Sequence, residues 1–547
     1  MTSLLIHGGV NDTVRAATAL HAQDGTHDGV VLNKDSEKLL AQFGQATKVM
    51  SDLAVQGKYP HPAPDYLAAL TSPPGGDMWS VGMLFKYGPS GDTWNPKVLS
   101  DVGGAMLDWR AKQLSGRTSM RPDYMPRTGS AGYYGFYTSP GINNWYQSLG
   151  LDPRYTDPDG GPALVAAIEA NDPSVALMNR VGENAQASRA LLTQPDGAGL
   201  RHAEQLVDYQ WQTPGAHGPH DESDPIRRVL TLAATDRSAA NQDQSGIAAD
   251  NILTAAAKEQ GIFAGRDDSD KKEQYQTYPQ GTAVALAAIT ATWAKDLGAT
   301  SLTATDGTHG YDLRDHVLVS NATDLTKAMQ LFAKDNPGAA AMFDVTLHEQ
   351  VSEAAGSKDA TDQLTNMGNL AGLFTKAKVG NKYTQAQQLD EKHKFNTYLL
   401  TTAGSLFGYI PAPTAAAGET LSKGMEAAAK GLKYSQNLVT LGRTVTAPQT
   451  DPFSVDNAGK QEKVNEAEAK QEYRSFSASI VQGLIRSGQI PPPTNRPWYN
   501  AQTGTLAPHA VDDPDFQGWW SNTQGRADYL NDFKSGFDTG EVSPDGR

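Results

Sequence analysis

The chain has 547 residues, of which 39% are apolar and 20% charged, with a formal net charge of −15 and no cysteine. This length exceeds what one hydrophobic core serves, so roughly two to four structural units are expected. The acidic balance argues against general binding to nucleic acid or anionic lipid, and the missing cysteine excludes thiol catalysis, cysteine-ligated zinc and disulfides.

The N-terminus and the apolar segments predict where the protein resides. Residues Met1–Gly9 have no basic region ahead of an apolar stretch, so no Sec-type signal peptide is expected. The chain also has no run of about 18 apolar residues, so no stable membrane span is predicted. The expected protein is cytoplasmic, or exported without a Sec signal peptide.

Composition and periodicity divide the chain into seven segments. Helical spacing of apolar residues dominates, while Tyr-, Gly- and Pro-rich stretches interrupt it. The predicted segments are an N-terminal arm (1–34), an N-terminal helical region (35–112), a Tyr/Gly/Pro-rich loop (113–160), a helical domain (161–300), a second helical domain (301–443), a linker with a helix (444–490) and a Pro/Gly-rich C-terminal tail (491–547).

Within these segments the pattern predicts individual helices. Pro173–Leu192 is predicted as one helix, and Thr282–Leu297 as another. The longest prediction is Thr361–Leu406, and a short helix is predicted at Trp519–Phe533. Alanine is abundant and aromatic residues make up only 8%, so many helix contacts should be small and close.

Strand signals are few. Leu302–Thr305, Tyr311–Leu313 and His316–Val319 lie near one another and predict a hairpin at most. The predicted fold class is therefore mainly α: multi-helix bundles with long irregular loops and little or no β-structure.

One short segment could supply metal ligands. His217 and His220 lie close to Asp221, Glu222 and Asp224 in sequence, which gives imidazole and carboxylate donors within eight residues. However, the intervening Gly-Pro pair places both histidines in a loop and not one helical turn apart, as a metalloprotease helix requires. A solvated loop is therefore the favoured interpretation, and a metal-dependent hydrolase remains an alternative.

A second polar cluster joins His309 and His316 to Asp306, Asp312 and Asp315. Histidine beside carboxylate suits general-base catalysis, yet the same residues are common in a polar turn. The chain contains neither a Gly-x-Ser-x-Gly elbow nor a Walker loop. No catalytic, cofactor-binding or metal-binding residue is assigned, no cofactor is expected, and the protein is predicted not to be an enzyme.

A membrane-active function is the other alternative. The glycines between 404 and 431 permit close helix packing or a hairpin that enters a membrane. Charged residues interrupt this stretch, which favours a surface amphipathic helix. A secreted, toxin-like pore-forming protein would use the segment 401–435.

Two aromatic-rich stretches could contact a partner. Gly132–Tyr137 and the pair Trp519-Trp520 carry the side chains that most often anchor protein interfaces. The alternative is that they cover the protein's own helices. The expected partner is another protein or a second copy of the chain.

Several short stretches of the sequence resemble uncharacterised actinobacterial helical proteins that are associated with WXG/LXG-type modules of type VII secretion. The matching stretches are Phe85–Gly88, Asp92–Trp94 followed by Val98-Leu99, Asn171–Met178, Ala187–Leu192 and Arg228–Thr235, and then the helices around 325–345 and Gly368–Phe374 in the same order. The resemblance covers roughly residues 35–440, although Trp79-Ser80-Val81-Gly82 is not a Trp-x-Gly motif. It implies a helical scaffold that is an export substrate or an export partner, and it implies no catalytic residue.

Overall fold

The chain is mainly α-helical, as predicted from its sequence. The structure is a computed structural model, and it divides into two compact units: Met1–Asp236 with Asn241–Ala285, and Arg237–Ala240 with Leu286–Arg547. The seven predicted segments follow a different partition, and their limits stay predictions. The structure describes residues 9–24, 32–58, 66–114, 171–208, 211–215, 218–221, 223–264, 278–333, 336–379, 473, 475–502, 504–507, 510–522 and 527–542.

Helices make up most of the first unit. They are α1 (Val10–Thr13), α2 (Ala16–Asp24), α3 (Lys34–Val55), α4 (Tyr66–Thr71), α5 (Met78–Tyr87), α6 (Pro96–Leu114), α7 (Pro173–Val181), α8 (Ala185–Leu192), α9 (Ala198–Val207), α10 (Asp224–Ala234) and α11 (Gln242–Ala264), with 3-10 turns at Pro74–Gly76 and Gly91–Thr93. Helix α12 (Gln280–Thr292) contains the division between the units.

The second unit is likewise helical. Its helices are α13 (Ala294–Thr300), α14 (Ala322–Ala333), α15 (Pro337–Ala355), α16 (Ala360–Val379), α17 (475–486), α18 (Pro514–Ser521) and α19 (Ala527–Val542), with a 3-10 turn at Ala510–Asp512. Helices α18 and α19 lie in the segment predicted as a tail. The structure also divides the predicted helix Trp519–Phe533 between them.

The described β-structure consists of three antiparallel two-stranded pairs. They are β1 (Gln212–Gly215) with β2 (Gly218–Asp221), β3 (His309–Asp312) with β4 (Val317–Ser320), and β5 (Tyr499–Asn500) with β6 (Thr505–Leu506). The predicted hairpin is confirmed as β3–β4, whereas Ser301–Thr303 forms a turn. The β1–β2 pair was not predicted, because glycine and proline occupy half of its positions and are typical of loops.

Acidic or amide residues followed by proline start several helices. Asp172 accepts hydrogen bonds from the N–H groups of Ser174 and Val175, and Pro173 occupies the first turn. Asn336 and Asp513 cap α15 and α18 in the same way. Proline suits this position because its fixed φ matches the helix and its missing N–H would have no intrahelical partner.

The predicted single helix Pro173–Leu192 is wrong, because two helices occupy this range. Helix α7 ends at Val181, and Asn184 caps α8 by accepting a hydrogen bond from the N–H of Ala187. The side chain of Asn184 also donates to the Gly91 carbonyl oxygen at 3.2 Å. A capping side chain held by a distant segment gives no periodic signal in the sequence.

Helices α5 and α7 pack very closely in the first unit. A Cβ atom added to Gly82 would lie 2.3 Å from the Cβ of Pro173, so glycine permits this approach. Arg180 of α7 then donates hydrogen bonds to the carbonyl oxygens of Phe85 and Lys86, both at 2.9 Å. The guanidinium thereby satisfies C-terminal carbonyl groups of α5 that have no partner within that helix.

Three buried phenylalanine rings pack together in the core of the second unit. Phe332, Phe343 and Phe374 are fully buried, with the closest pair of ring centroids 4.7 Å apart. Helix α19 packs on α16, where a Cβ atom on Gly536 would lie 2.0 Å from the carbonyl oxygen of Thr365. These glycine contacts agree with the small, close helix packing that the composition predicts.

Candidate functional site

The best candidate for a binding surface is Trp519, which is partly exposed and lies on a cluster with three buried aromatic residues in the second unit. Trp498 precedes β5, while Phe516, Trp519 and Trp520 belong to α18. Asp513 starts α18 by accepting a hydrogen bond from the N–H of Asp515 at 2.8 Å. One capped helix and one short hairpin thereby hold the four rings together. This cluster is called the aromatic platform below.

The rings of the platform contact one another directly. The ring centroids of Trp498 lie 5.0 Å from Phe516 and 5.2 Å from Trp519. Phe516 and Trp520 stack in parallel planes with centroids 6.3 Å apart. Edge-to-face and offset contacts of this kind stabilise aromatic clusters beyond the burial of apolar area.

A carboxylate fixes the orientation of Trp498. Asp515 accepts a hydrogen bond from the indole Nε1–H of Trp498 at 3.0 Å, and it pairs with Arg496. The side chains of Arg496 and Asp515 are each 41% exposed, so this ion pair lies at the surface. Its net contribution to stability is therefore small, while its geometric effect is to hold the ring.

The platform is connected to the helical body of its unit through Gln482 of α17. The side-chain oxygen of Gln482 accepts a hydrogen bond from the N–H of Leu506 at 3.0 Å, and its amide donates to the Gly504 carbonyl oxygen. Helix α17 is in turn packed on α15, because Gly483 lies against the backbone of Ser352. The aromatic rings thus rest on a fixed support.

Exposure differs between the two adjacent tryptophans of α18. Trp520 is only 9% exposed, whereas Trp519 is half-buried. The interpretation that this pair covers the protein's own structure is thus correct for Trp520. Trp519 keeps part of its ring at the surface. The second predicted aromatic stretch, Gly132–Tyr137, lies outside the described residues.

A serine, a histidine and an aspartate also meet between α15 and α17. The Nδ1 of His348 lies 2.9 Å from Ser479 Oγ, and its Nε2 lies 3.8 Å from Asp344 Oδ1. These residue types occur in nucleophilic triads. However, Ser479 lies within a helix, where the neighbouring N–H groups bond along the helix and are not oriented towards an oxyanion.

The surroundings of His348 favour a structural contact. Its ring stacks on Phe476 of α17 with centroids 4.0 Å apart, and Phe476 is fully buried. Arg486 of α17 also pairs with Glu349 of α15 at 3.1 Å, which adds an ion pair to the seam between the two helices. This polar seam joins α17 to α15 and thereby supports the aromatic platform.

The candidate metal loop is only partly described. Residues 218–221 form β2, while His217 and Glu222 lie outside the described residues. Elsewhere in the described part of the chain, no three His, Asp or Glu side chains come together as metal ligands. The metal-dependent hydrolase thus stays an untested alternative.

The second histidine cluster surrounds the β3–β4 hairpin. His309, His316, Asp312 and Asp315 are all exposed, and Asp312 accepts hydrogen bonds from the N–H groups of Arg314 and Asp315. Asp306 accepts a hydrogen bond from Thr323 at 2.9 Å. Asp312 therefore stabilises the turn between the two strands, as the polar-turn interpretation predicts, and Asp306 joins the segment before the hairpin to α14.

Asp296 of α13 is a largely buried carboxylate in this unit. Burial raises its pKa above the ordinary value, although the neighbouring Arg237 partly opposes this effect. Asp296 accepts hydrogen bonds from Arg237 and from the N–H of Leu318 in β4. Asp296 therefore accepts a hydrogen bond from the outer edge of β4, and this structural contact explains why the carboxylate is buried.

The membrane-active alternative rests on residues 401–435, which lie outside the described residues. In the helices that the structure does describe, none combines the length and the apolar character needed to cross a bilayer. The pore-forming function stays untested.

Several residues that organise these sites carry no local sequence signal. Trp498, Gln482, His348 and Arg180 all act on groups far away in the chain, such as Phe85, 95 positions before Arg180. A single sequence carries no pairing signal over such distances. The aromatic content of the segment 498–520 was the one signal available for the platform.

No family model matches the chain, and neither a curated protein nor a solved structure matches it.

Proposed function

We propose that the chain is a non-enzymatic helical protein that binds another protein or a second copy of itself through the aromatic platform. The observation that supports this function is the half-buried ring of Trp519 on a support of Trp498, Phe516 and Trp520. Tryptophan is enriched among the residues that dominate interface energetics, because it buries a large area at a low cost in side-chain entropy.

The resemblance to proteins of type VII secretion adds a biological setting to this proposal. A helical scaffold with a fixed aromatic surface suits an export substrate or an export partner. In either case the function is recognition, and the relevant property of the platform is its shape and apolar area.

Replacement of Trp519 by alanine tests the proposal. The full chain is mixed with purified candidate partners, beginning with a second copy and continuing with proteins of the export apparatus, and association is followed by sedimentation velocity. We expect Trp519→Ala to weaken association roughly 30-fold, as for an interface residue worth about 2 kcal/mol.

A matched control comes from the preceding residue. Gly518 has open space around it, so Gly518→Ala should leave association unchanged. Equal association of the Trp519→Ala and parent chains would refute the assignment of the platform.

A further inference from the structure

A buried histidine lies where α6, α8 and α9 meet in the first unit. His202 of α9 is 2% exposed. Gly104 of α6 lies directly against the imidazole, because a Cβ atom at position 104 would be 2.7 Å from Cε1 and 3.2 Å from Nε2 of His202. The ring thus packs on the backbone of α6, and a side chain other than hydrogen at position 104 would displace it.

Neither ring nitrogen of His202 makes a close hydrogen bond. Nδ1 lies 3.5 Å from the carbonyl oxygen of Leu191 in α8, and Nε2 lies 3.6 Å from Oδ1 of Asp108 in α6. These distances exceed those of good hydrogen bonds. Asp108 is already bonded to Arg201 at 3.1 Å and to Gln205 at 3.2 Å, so its oxygens have closer donors than the imidazole.

The charged groups around the imidazole belong to four helices. Asp108 of α6 favours the protonated ring, while Arg201 of α9 disfavours it. The charged side chains on the other neighbouring elements have their own partners. Arg189 of α8 pairs with Asp236, and Lys258 of α11 pairs with Glu204.

Burial is the largest of these influences on His202. It lowers the pKa of the imidazole below the ordinary value of 6.5, and the opposing effects of Asp108 and the Leu191 carbonyl group do not compensate for it. The neutral ring is therefore the form that fits the packed site.

We propose that His202 is an acid-sensitive switch, in which protonation of the imidazole loosens α9 from α6 and α8. The switch is independent of the proposed binding function. Because the folded pKa is lowered, the neutral ring contributes its full stability above pH 6.5, and this contribution is lost as the pH falls through the folded pKa. The pKa of Asp108 is also lowered from 3.8, because burial raises it but the hydrogen bonds from Arg201 and Gln205, with the nearby positive charges, outweigh that effect.

Hydrogen exchange on the full chain tests the switch. Peptides covering 198–207 are compared at acidic and neutral pH, after correction for the intrinsic exchange rate. We expect the protection of α9 to fall by up to about tenfold per pH unit between 6.5 and the folded pKa. In the His202→Leu chain, which cannot be protonated there, protection should not depend on pH.

A control histidine separates the switch from general effects of acid. His309 is exposed, so the His309→Gln chain should keep the pH dependence of the parent protein. Equal protection of α9 at both pH values in the parent chain would overturn the proposal, as would an undiminished pH dependence in His202→Leu.

A titration of the unmodified chain covers the case in which His202→Leu does not fold. The ring signals of selectively labelled histidine are followed by NMR, and the His202 signal is assigned by its loss in His202→Gln. A midpoint below 6.5 supports the switch. A midpoint at or above 6.5 contradicts it, because protonation would then be compatible with the packed site.

Discussion

The contact between α5 and α7 in the first unit and that between α16 and α19 in the second use glycine in the same way but differ in their polar groups. Gly82 lies against Pro173, and Gly536 lies against the backbone of Thr365. The α5–α7 contact also has the guanidinium of Arg180 on carbonyl oxygens of α5. Two helices can therefore approach closely wherever glycine provides a position without a side chain. Hydrogen bonds from a side chain to the neighbouring backbone additionally fix how the two helices are aligned.

A side chain at position 536 should disrupt the contact between α16 and α19, which is the closer of the two. In Gly536→Ala the new methyl group would lie 2.0 Å from a carbonyl oxygen of α16, and two backbones would have to separate to admit it. We expect a loss of about 3 kcal/mol in the free energy of unfolding of the second unit, at the upper end of overpacking effects. Chemical denaturation measures it.

The matched control is Gly518→Ala in α18, where no atom lies within 4 Å of the added Cβ. Alanine favours a helix over glycine by about 1 kcal/mol, so this change should be neutral or stabilising. Equal changes in stability in both variants would show that close packing at position 536 does not determine the effect.

Removal of the guanidinium at position 180 should weaken the contact between α5 and α7. Arg180→Ala leaves carbonyl oxygens at the end of α5 without their donor, and we expect a loss of about 2 kcal/mol in the stability of the first unit. Arg180→Lys keeps the charge but lacks the planar fork that reaches two carbonyls together, so it should restore only part. Full stability in Arg180→Lys would mean that charge alone suffices.

The smallest effect is expected for Asp296→Asn in the second unit. The folded pKa of Asp296 is raised, so the protonated carboxyl stabilises the unit fully below pH 3.8, and this contribution is lost as the pH rises through the folded pKa. The amide removes a buried charge but also the partner of Arg237, so the net change at neutral pH should stay below about 1 kcal/mol. Thermal denaturation from pH 3 to 7 should show a flatter profile for the variant, and an unchanged profile would contradict this assignment.

Local signals explain which elements the sequence could predict. Helix starts such as Asp172-Pro173 and Asn336-Pro337 carry a cap and a fixed φ within two residues, and the structure places helices there. The β3–β4 hairpin had its β-branched residues close together. These elements depend on neighbours in the chain, so one sequence is enough to find them.

The features that the sequence did not reveal depend on distant partners. Helices α18 and α19 contain many Gly, Asp and Ser residues, so the sequence predicts only one short helix, Trp519–Phe533, within a tail. Helix α19 extends to Val542, where Gly536, Phe533 and Phe537 meet α16. Among the members of the aromatic platform, the sequence points to the adjacent pair Trp519 and Trp520. Its remaining members and its support by Gln482 follow from tertiary packing.

Site-specific cross-linking at Trp519 tests the central claim that the platform binds a protein. A photoreactive phenylalanine analogue replaces Trp519 in the full chain, and exposed Asp92 of the first unit serves as the control position. We predict a discrete adduct from position 519 alone, whose purified partner binds Trp519→Ala roughly 30-fold more weakly than the parent chain. Equal adduct formation from both positions, or unchanged affinity of Trp519→Ala for that partner, would contradict it.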